Sequence, residues 1–153
     1  MMITIDTAME SDLPELLGHL PFFAGLWDRG LEWVARTLHE RSASAGTDVF
    51  REGEPGCSLF VIKSGELLAT KGGRELMRLR AGDFFGETTL LEMQPRPFTA
   101  HVVGDAILYE LSNRDLYQLY KEDVKAYVLV LQNINRELCR RLRTANRTIA
   151  NHG

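Results

Sequence analysis

The most specific part of the sequence reads Phe84-Phe85-Gly86-Glu87-Thr88-Thr89-Leu90-Leu91 and, after a short gap, Pro95-Arg96. It brings a glycine, a carboxylate, the predicted start of a short helix and an arginine into eleven residues. Glycine permits a close backbone approach, because it has no side chain and tolerates a positive φ. The first amides of a helix lack internal partners and favour an anion, aided by the helix dipole. Arginine can hold an anion through two hydrogen bonds from its planar fork.

These groups together suit a phosphorylated sugar. Arg96 and the first amides of the helix would contact the phosphate, whereas Glu87, which repels a phosphate, would accept a hydrogen bond from a sugar hydroxyl. The alternative is a structural ion pair between Glu87 and Arg96 beneath the turn, since charged pairs of this kind are common. Thr88 and Thr89 are expected chiefly as residues that start the helix.

Length and composition indicate one globular domain. The chain has 153 residues, of which 44% are hydrophobic and 25% charged, enough for a sizeable core. A net charge of −3 gives no electrostatic basis for binding nucleic acid or an anionic membrane. No apolar run reaches the roughly 20 residues of a membrane helix, and no leader peptide is evident. Cys57 and Cys139 lie in dissimilar contexts, which favours two reduced thiols. We therefore expect a cytoplasmic protein without membrane contact.

The N-terminal part is predicted to be helical after a lead-in over residues 1–12. Apolar residues recur at helical spacing from Leu13 to Leu38. Pro21 and Gly25 interrupt that spacing, which predicts two short helices around a turn at Pro21-Phe22-Phe23. Short apolar runs come next and predict strands at 47–50, 59–62, 66–71, 75–79, 99–103 and 107–111. Turn residues separate these runs, among them Glu52-Gly53-Glu54-Pro55-Gly56, Ser64-Gly65 and Gly104-Asp105.

Helical spacing returns after Leu111. Ser112 or Asn113 would cap a short helix that runs to Tyr120, and a longer helix would run from about Asp123 to the late 140s. Apolar residues recur along the longer helix at steps of three and four, which indicates a surface for a dimer partner or for the protein's own barrel. These residues are Val124, Val128, Leu131, Ile134, Leu138, Leu142, Ala145 and Ile149. The opposite face is expected to be solvated and carries Arg136, Glu137, Arg140, Arg141 and Arg143.

The order of these elements predicts an α+β fold. Its centre would be an antiparallel β jelly roll, a cupin-like double-stranded barrel, flanked by N-terminal helices and a long C-terminal helix. The predicted organisation is a lead-in at 1–12, the barrel with its N-terminal helices at 13–122, and a dimer or lid helix at 123–153. No enzyme is expected, because the four histidines lack the spacing of a cupin metal site and the two cysteines form no CxxC motif.

The sequence resembles the cyclic nucleotide-binding domain family, which includes the catabolite activator regulators of bacteria and the regulatory subunit of protein kinase A. The similarity runs from about residue 20 to residue 147. It is carried by several motifs that follow in the family's order: Leu20-Pro21-Phe22-Phe23, 52–56, 59–66, 82–87 and Pro95-Arg96. The fourth resembles the opening of the family's phosphate-binding cassette, and the fifth resembles its end.

The resemblance implies a cyclic nucleotide, cAMP or cGMP, as the ligand, with no further cofactor. Glu87 would accept a hydrogen bond from the ribose 2′-hydroxyl, and Arg96 would pair with the cyclic phosphate. The amides from Gly86 to Thr89 would face that phosphate, and the last helix would contact the base. The predicted ligand-binding residues are Gly86, Glu87, Thr88, Thr89, Arg96, Thr99 and Asn146, with Thr144 as the alternative to Asn146.

Two residues depart from the family pattern directly after Arg96. The family usually has a small residue next, whose amide donates to the phosphate, but Pro97 has no amide hydrogen. The lost hydrogen bond is worth about 1.5–3 kcal/mol, or one to two decades of affinity. Phe98 stands where alanine is usual. Its ring would either fill part of the pocket or turn into the core against Phe84 or Phe85.

The sequence therefore predicts a stand-alone sensor module for a cyclic nucleotide or a related phosphorylated ligand. It would signal through its C-terminal helix, either by changing the geometry of a homodimer or by exposing a surface to a protein partner. Bacterial regulators with this sensor continue into a helix-turn-helix domain, whereas this sequence ends at Gly153, so we expect no direct DNA binding. The alternative, favoured by Pro97 and Phe98, is a protein-interaction module whose pocket has lost its ligand.

Overall fold

The computed structural model describes residues 2–4, 20–27 and 29–152. The first of the two predicted N-terminal helices lies outside these residues. Within the predicted lead-in, Met2–Thr4 forms strand β1. The chain turns through a short 3₁₀ helix at Pro21–Phe23, where a turn was predicted, and continues into helix α1 at Arg29–Thr37.

In the described residues, seven strands form one antiparallel sheet that wraps into the predicted jelly roll. The strands after β1 are β2 His39–Ala43, β3 Asp48–Phe50, β4 Ser58–Lys71, β5 Arg74–Arg80, β6 Phe84–Phe85 and β7 Thr99–Ser112. Their order in the sheet is β1-β2-β7-β4-β5, with β3 paired to β7 and β6 paired to β4. The α+β prediction is therefore confirmed, although strands β1, β2 and β6 were not predicted from the sequence.

Strands β4 and β7 are each one long strand where two short strands were predicted. Gly65 was interpreted as a break in β4, and Gly104-Asp105 as a break in β7. In the structure the two strands stay paired from Ser58–Ser112 to Thr70–Thr99, and shifts of register between Ile62 and Leu67 absorb the irregularity. Because the strands continue through these points, both reach from the helical layer to the far end of the barrel.

Gly65 makes the close pairing of these strands possible. Its φ is +99°, and a Cβ at this position would lie 2.5 Å from the Cα of Ala106 and 2.6 Å from the backbone oxygen of Asp105. No residue with a side chain fits that space, and the positive φ adds backbone strain for any other residue.

Three helices follow the predicted pattern after the early strands. Helix α2 spans Glu87–Glu92, α3 spans Asn113–Glu122 and α4 spans Val124–His152. The predicted cap of α3 is confirmed at Ser112, whose hydroxyl accepts from the amide of Asp115 while the Asp115 carboxylate accepts from the amide of Ser112. This reciprocal capping box satisfies two amides that a helix start otherwise leaves unpaired.

The apolar residues form two buried clusters on either side of the sheet. One fills the barrel and contains Phe50, Phe60, Phe85 and Phe98 among aliphatic residues. The other joins the helices to the outside of the sheet through α1, α3 and the first half of α4. The buried amide of Asn133 fixes α4 to the N-terminal turn by donating to the carbonyl oxygens of Phe22 and Ala24, at 2.9 and 2.8 Å.

Alanine at Gly65 should destabilise the fold much more than alanine at Gly46, which has a similar φ of +88° but open space around it. Gly46→Ala should cost about 1–2 kcal/mol through backbone conformation alone. Gly65→Ala should cost about 1–3 kcal/mol more, because the clash with Ala106 is added. Urea unfolding of both variants measures the difference. Equal losses of stability would show that β4 and β7 do not approach this closely.

Candidate functional site

The predicted cassette forms a strand-turn-helix unit at the edge of the barrel. Strand β6 pairs with β4 through Phe85 and Phe60, and both phenylalanines are buried. Gly86 follows with a φ of +89° and caps helix α2 in a left-handed conformation. This turn directs Glu87, the first residue of the helix, back toward the protein interior, where the residue is only 7% exposed.

Arg96 closes the cassette and is buried, at 6% exposed. Two backbone hydrogen bonds hold Arg96 against the turn before β4. Its amide donates to the carbonyl oxygen of Glu54 at 2.9 Å, and its carbonyl oxygen accepts from the amide of Gly53 at 2.8 Å. Its guanidinium Nη1 donates to the backbone oxygen of Ser58 at 2.7 Å. The guanidinium carbon lies 4.2 Å from the centre of the Phe50 ring, a cation–π arrangement.

Two glycines create the space for this guanidinium. A Cβ on Gly56 would lie 2.5 Å from Nη2 and 2.6 Å from Nε of Arg96. A Cβ on Gly86 would lie 2.8 Å from Nη1 and 3.0 Å from the oxygen of Ser58. Of the two, only Gly86 was singled out from the sequence. Gly56 was identified only as a turn residue, because its approach to Arg96 depends on a contact forty positions away in the chain.

The guanidinium of Arg96 has no counter-ion in contact among the residues that the structure describes. Within residues 20–27 and 29–152 no carboxylate oxygen lies within ion-pair distance of its guanidinium, and its Nε has no hydrogen-bond partner. Burial lowers the pKa of Arg96, while the nearby Cys57 and Glu110 oppose that shift. Glu110 does not contact Arg96 directly. Its carboxylate accepts a hydrogen bond from the hydroxyl of Ser58 at 3.0 Å, and the backbone oxygen of Ser58 is the acceptor for Arg96. A charged, desolvated donor is thus left with unused hydrogen-bonding capacity.

Glu87 contacts Arg141 and not Arg96, the arginine considered in the sequence analysis as its ion-pair partner. The direct ion pair between Glu87 and Arg96 is not found. The Oε1 atom of Glu87 instead lies 3.6 Å from Nη1 of Arg141 on helix α4, and its Oε2 atom has no hydrogen-bond partner. Burial raises the pKa of Glu87, and the positive charge of Arg141 opposes this effect without cancelling it.

Arg141 connects the C-terminal helix to the cassette. Besides Glu87, it donates to the backbone oxygen of Phe84 and to Oε1 of Glu137, the latter at 3.1 Å, and its guanidinium lies over the Phe84 ring at 4.9 Å. The prediction that the basic face of this helix is solvated is therefore wrong for Arg141. Nothing in the sequence distinguishes Arg141 from Arg140, because the difference arises only from how α4 lies on β6.

Unpartnered polar atoms are concentrated in the cassette. Among the described residues five buried side-chain oxygen or nitrogen atoms have no hydrogen-bond partner, and four of them lie between Glu87 and Arg96. The four are Glu87 Oε2, Thr88 Oγ1, Thr89 Oγ1 and Arg96 Nε. Native proteins satisfy most buried polar atoms, so this group distinguishes the cassette from the other described residues.

Phe98, Pro97 and Thr99, which follow Arg96, contact other parts of the protein. Phe98 is buried and turns into the barrel, as one of the two alternatives predicted, but its ring packs on Phe50 at 5.7 Å rather than on Phe84 or Phe85. The carbonyl of Pro97 accepts from Lys71 at 3.3 Å. The hydroxyl of Thr99 accepts from the amide of Glu52 at 3.0 Å, which ties it to the turn before β4.

A groove of about 800 Å³ separates β5 from the exposed end of α4. Leu76 and Met77 line it from the sheet, and Arg141 and Thr144 line it from the helix. Because Arg141 also contacts Glu87, the groove adjoins the cassette. Of the two predicted base-contacting residues, Thr144 lines the groove, whereas Asn146 is exposed and does not.

The described residues contain neither a cluster of metal ligands nor a helix suited to crossing a membrane. In that part of the chain, no group of three or more His, Cys, Asp or Glu side chains could hold a metal ion. None of the helices described there has the length and hydropathy that crossing a membrane requires.

Comparison with known proteins identifies one family. The profile described as "Cyclic nucleotide-binding domain" matches residues 40–123, more than half of the chain. A cGMP-dependent protein kinase of Toxoplasma gondii is 34% identical over 85 residues, which cover 56% of this chain and 9% of that kinase. The chain spans about a tenth to a fifth of the length of such curated relatives.

Solved structures show the same fold. A cyclic nucleotide-binding domain from Methylobacillus flagellatus superposes with a TM-score of 0.86 at 21% identity, covering 99% of this chain and 89% of that chain. The catabolite activator protein of Thermus thermophilus superposes with a TM-score of 0.73 at 30% identity, covering 85% of this chain and 62% of that chain. The sheet and the flanking helices of this chain therefore superpose on those of known structures over 85–99% of its length.

Replacing Glu87 with glutamine should reveal its raised pKa. A carboxyl group whose folded-state pKa is raised stabilises the fold below its ordinary pKa of 4.5, and that contribution is lost as pH rises through the folded-state pKa. The Tm of the wild type should therefore fall relative to that of Glu87→Gln as pH increases above 4.5. Thermal unfolding from pH 4 to pH 8 measures this difference.

Glu137→Gln is the matched control, because the hydrogen bond from Arg140 lowers the pKa of Glu137. Its contribution is present above pH 4.5 and is lost as pH falls, so the trend should have the opposite sign. Parallel trends for the two variants would contradict the assigned environment of Glu87.

Proposed function

The chain belongs to the cyclic nucleotide-binding domain family, and on that premise we propose that it is a regulatory sensor for a cyclic nucleotide or a closely related phosphorylated ligand. The proposed ligand is cAMP or cGMP, and the proposed output is a movement of helix α4. Regulation rather than catalysis is proposed, since the cassette offers hydrogen bonds and charge but no nucleophile paired with a base.

The observation that carries this proposal is that Arg96 is buried without a counter-ion from the described part of the chain. Removing an ion from water costs several kcal/mol in real proteins unless a partner compensates. Among the described residues the guanidinium has one backbone acceptor and an unused Nε. A cyclic phosphate supplies the missing negative charge and accepts hydrogen bonds in the geometry that arginine prefers.

The remaining groups around Arg96 support a nucleotide rather than phosphate alone. Glu87 offers an unpartnered carboxylate oxygen to the ribose 2′-hydroxyl. The adjoining groove offers apolar side chains, such as Leu76, to a base and the hydroxyl of Thr144 to its polar edge. Asn146 remains a weaker proposal for the base, because it lies outside the lining of the groove.

Arg141 supports the proposed route from ligand to helix. It contacts Oε1 of Glu87 from helix α4, so a ribose hydroxyl that binds Oε2 would reorient the same carboxylate against Arg141. The ligand would thereby bias the position of α4 through a difference in contacts between the free and bound states, which a ligand-driven shift requires.

A ligand-free protein-interaction module is the second candidate. It is favoured by the engagement of Arg96 with Ser58 and Phe50 at 6% exposure, and by the missing amide at Pro97. In this reading Arg96 is a fixed part of the barrel wall, and the surface of the domain binds a protein partner.

Calorimetric titration with cAMP and cGMP distinguishes the two candidates. The wild type should bind at least one of them, and Arg96→Ala should abolish binding, because the phosphate loses its charged partner. Pro97→Ala should increase affinity about ten- to hundredfold by restoring one amide donor to a charged acceptor. Circular dichroism confirms that each variant is folded.

Three outcomes separate the readings. Wild-type binding that disappears in Arg96→Ala supports the sensor. Binding that appears only in a Pro97→Ala, Phe98→Ala double variant supports the module with a degenerate pocket. No binding of either nucleotide at millimolar concentration by the wild type or by the double variant rejects both the ligand and the cassette's role in recognising it.

We also propose a homodimer formed through helix α4. The predicted apolar seam is divided in the structure: Ile134 is buried against the domain, whereas Leu142 and Ile149 are 62% and 68% exposed. These two residues lie seven positions apart, the repeat that brings side chains to one face of paired helices. A second copy of α4 would cover them.

Leu142→Glu should convert the dimer to a monomer, because a carboxylate at the seam would be desolvated by the partner helix. Arg147→Glu is the control, since it introduces the same side chain on the same exposed helix end without removing an apolar contact. Sedimentation equilibrium at micromolar concentrations measures both. A monomeric wild type, or a variant Leu142→Glu that remains dimeric, would contradict the proposed interface.

A further inference from the structure

A second cavity lies between the N-terminal turn, the turn from β5 to β6, and helix α4. Its volume is about 320 Å³, at the lower end of the range of roughly 300–1,000 Å³ that small-molecule pockets occupy. Neither Glu87 nor Arg96 lines it, so the nucleotide proposed above would not occupy it. Glu137 and Arg140 line both this cavity and the groove beside Leu76.

One buried acceptor that lines this cavity has no partner. Asn133 is 7% exposed, and its side-chain nitrogen is held by the carbonyl oxygens of Phe22 and Ala24. Within the described ranges no donor reaches its side-chain oxygen Oδ1. The amide cannot turn over, because Oδ1 would then face two carbonyl oxygens. Asn133 therefore offers a fixed acceptor to a ligand in the cavity.

The charged side chains around the cavity are unequally used. Glu137 accepts two hydrogen bonds from Arg140. Arg136 lies three residues after Asn133 on the same side of α4, and it forms no hydrogen bond or ion pair through its side chain with the residues that the structure describes. On the facing turn, Asp83 accepts from a backbone amide through Oδ2 only. The cavity thus has an unused cation, an unused amide oxygen and a carboxylate with a free oxygen.

A ligand that satisfies these groups carries a carboxylate and an ammonium group close together. The carboxylate would pair with the planar fork of Arg136, and the ammonium group would donate to Oδ1 of Asn133 and to Asp83. Phe22 and Phe84 also line the cavity, so an apolar side chain of the ligand would pack against them. Free α-amino acids combine these three features.

We propose that this cavity is a second ligand site and that it binds an apolar α-amino acid. The inference goes beyond the proposed function, because it requires neither Arg96 nor a nucleotide. Glu137 lines the cavity and also accepts from Arg141, the residue of α4 that contacts the cassette. An amino acid bound here would therefore lie against the helix that the nucleotide is proposed to move.

L-leucine is the probe for this site, and the side-chain amide of Asn133 is the reporter. In proton–nitrogen correlation spectra the resonances of this amide should shift with L-leucine at millimolar concentration, because a donor then reaches Oδ1. Isocaproate lacks the ammonium group of leucine, and isoamylamine lacks its carboxylate. Each analogue should bind about tenfold more weakly than L-leucine or worse, since hydrogen bonds that involve a charged group are lost.

Arg136→Gln tests the carboxylate end of the site from the protein side. Affinity for L-leucine should fall about tenfold, the value of a charge-assisted hydrogen bond. The fold should be retained, because Arg136 is exposed. Arg143→Gln is the matched control, since it removes the same charge from an exposed position of α4 that does not line the cavity, and it should leave the affinity unchanged. Circular dichroism checks the fold of both variants.

Any of three results would overturn the inference. The first is the absence of a shift at Asn133 with L-leucine at millimolar concentration. The second is an equal loss of affinity in Arg136→Gln and Arg143→Gln, which would show a general effect of charge. The third is binding of isocaproate or isoamylamine as tight as that of L-leucine. Since these measurements use no nucleotide and leave Arg96 in place, their outcome is separate from that of the proposed function.

Discussion

The burial of one guanidinium group organises the candidate site. Arg96 lies against Phe50 and donates to Ser58, yet no carboxylate within the described ranges contacts it. A desolvated charge is costly, so its surroundings must be arranged for it. Glycine stands at the two positions where any side chain would collide with it, Gly56 and Gly86. The turn before β4 holds its backbone at both the amide and the carbonyl.

The barrel explains how this arrangement can be rigid. The long strands β4 and β7 pair over most of their length, and β6 pairs with β4 immediately before the cassette. The buried aromatic cluster of the barrel then fixes the wall on which Arg96 rests. Helix α4 is the contrasting element, since its first half is buried against the domain while Leu142 and the residues after it are exposed. Arg141, just before this exposed end, is the contact between the rigid cassette and the helix.

Much of this structure follows from local sequence pattern, and the rest depends on contacts between distant residues. The succession of N-terminal helix, barrel and C-terminal helices, the cap at Ser112, and the turn and helix start of the cassette arise from turn residues and apolar spacing, so the sequence predicts them. Gly65 was misinterpreted as a strand break, because only the approach of Ala106 reveals that it accommodates a neighbouring strand. The roles of Gly56 and Arg141 were missed for the same reason. Each acts through a partner some forty or more positions away.

We propose that Arg96 is held ready for an anionic ligand rather than used as a fixed part of the barrel wall. A crystal structure of the protein grown with saturating cAMP or cGMP tests this proposal most directly. The cyclic phosphate should lie within hydrogen-bond distance of the Arg96 guanidinium, with the ribose 2′-hydroxyl at Glu87. An unoccupied cassette under these conditions, with the Arg96 guanidinium still bonded only to the backbone oxygen of Ser58, would contradict the proposal.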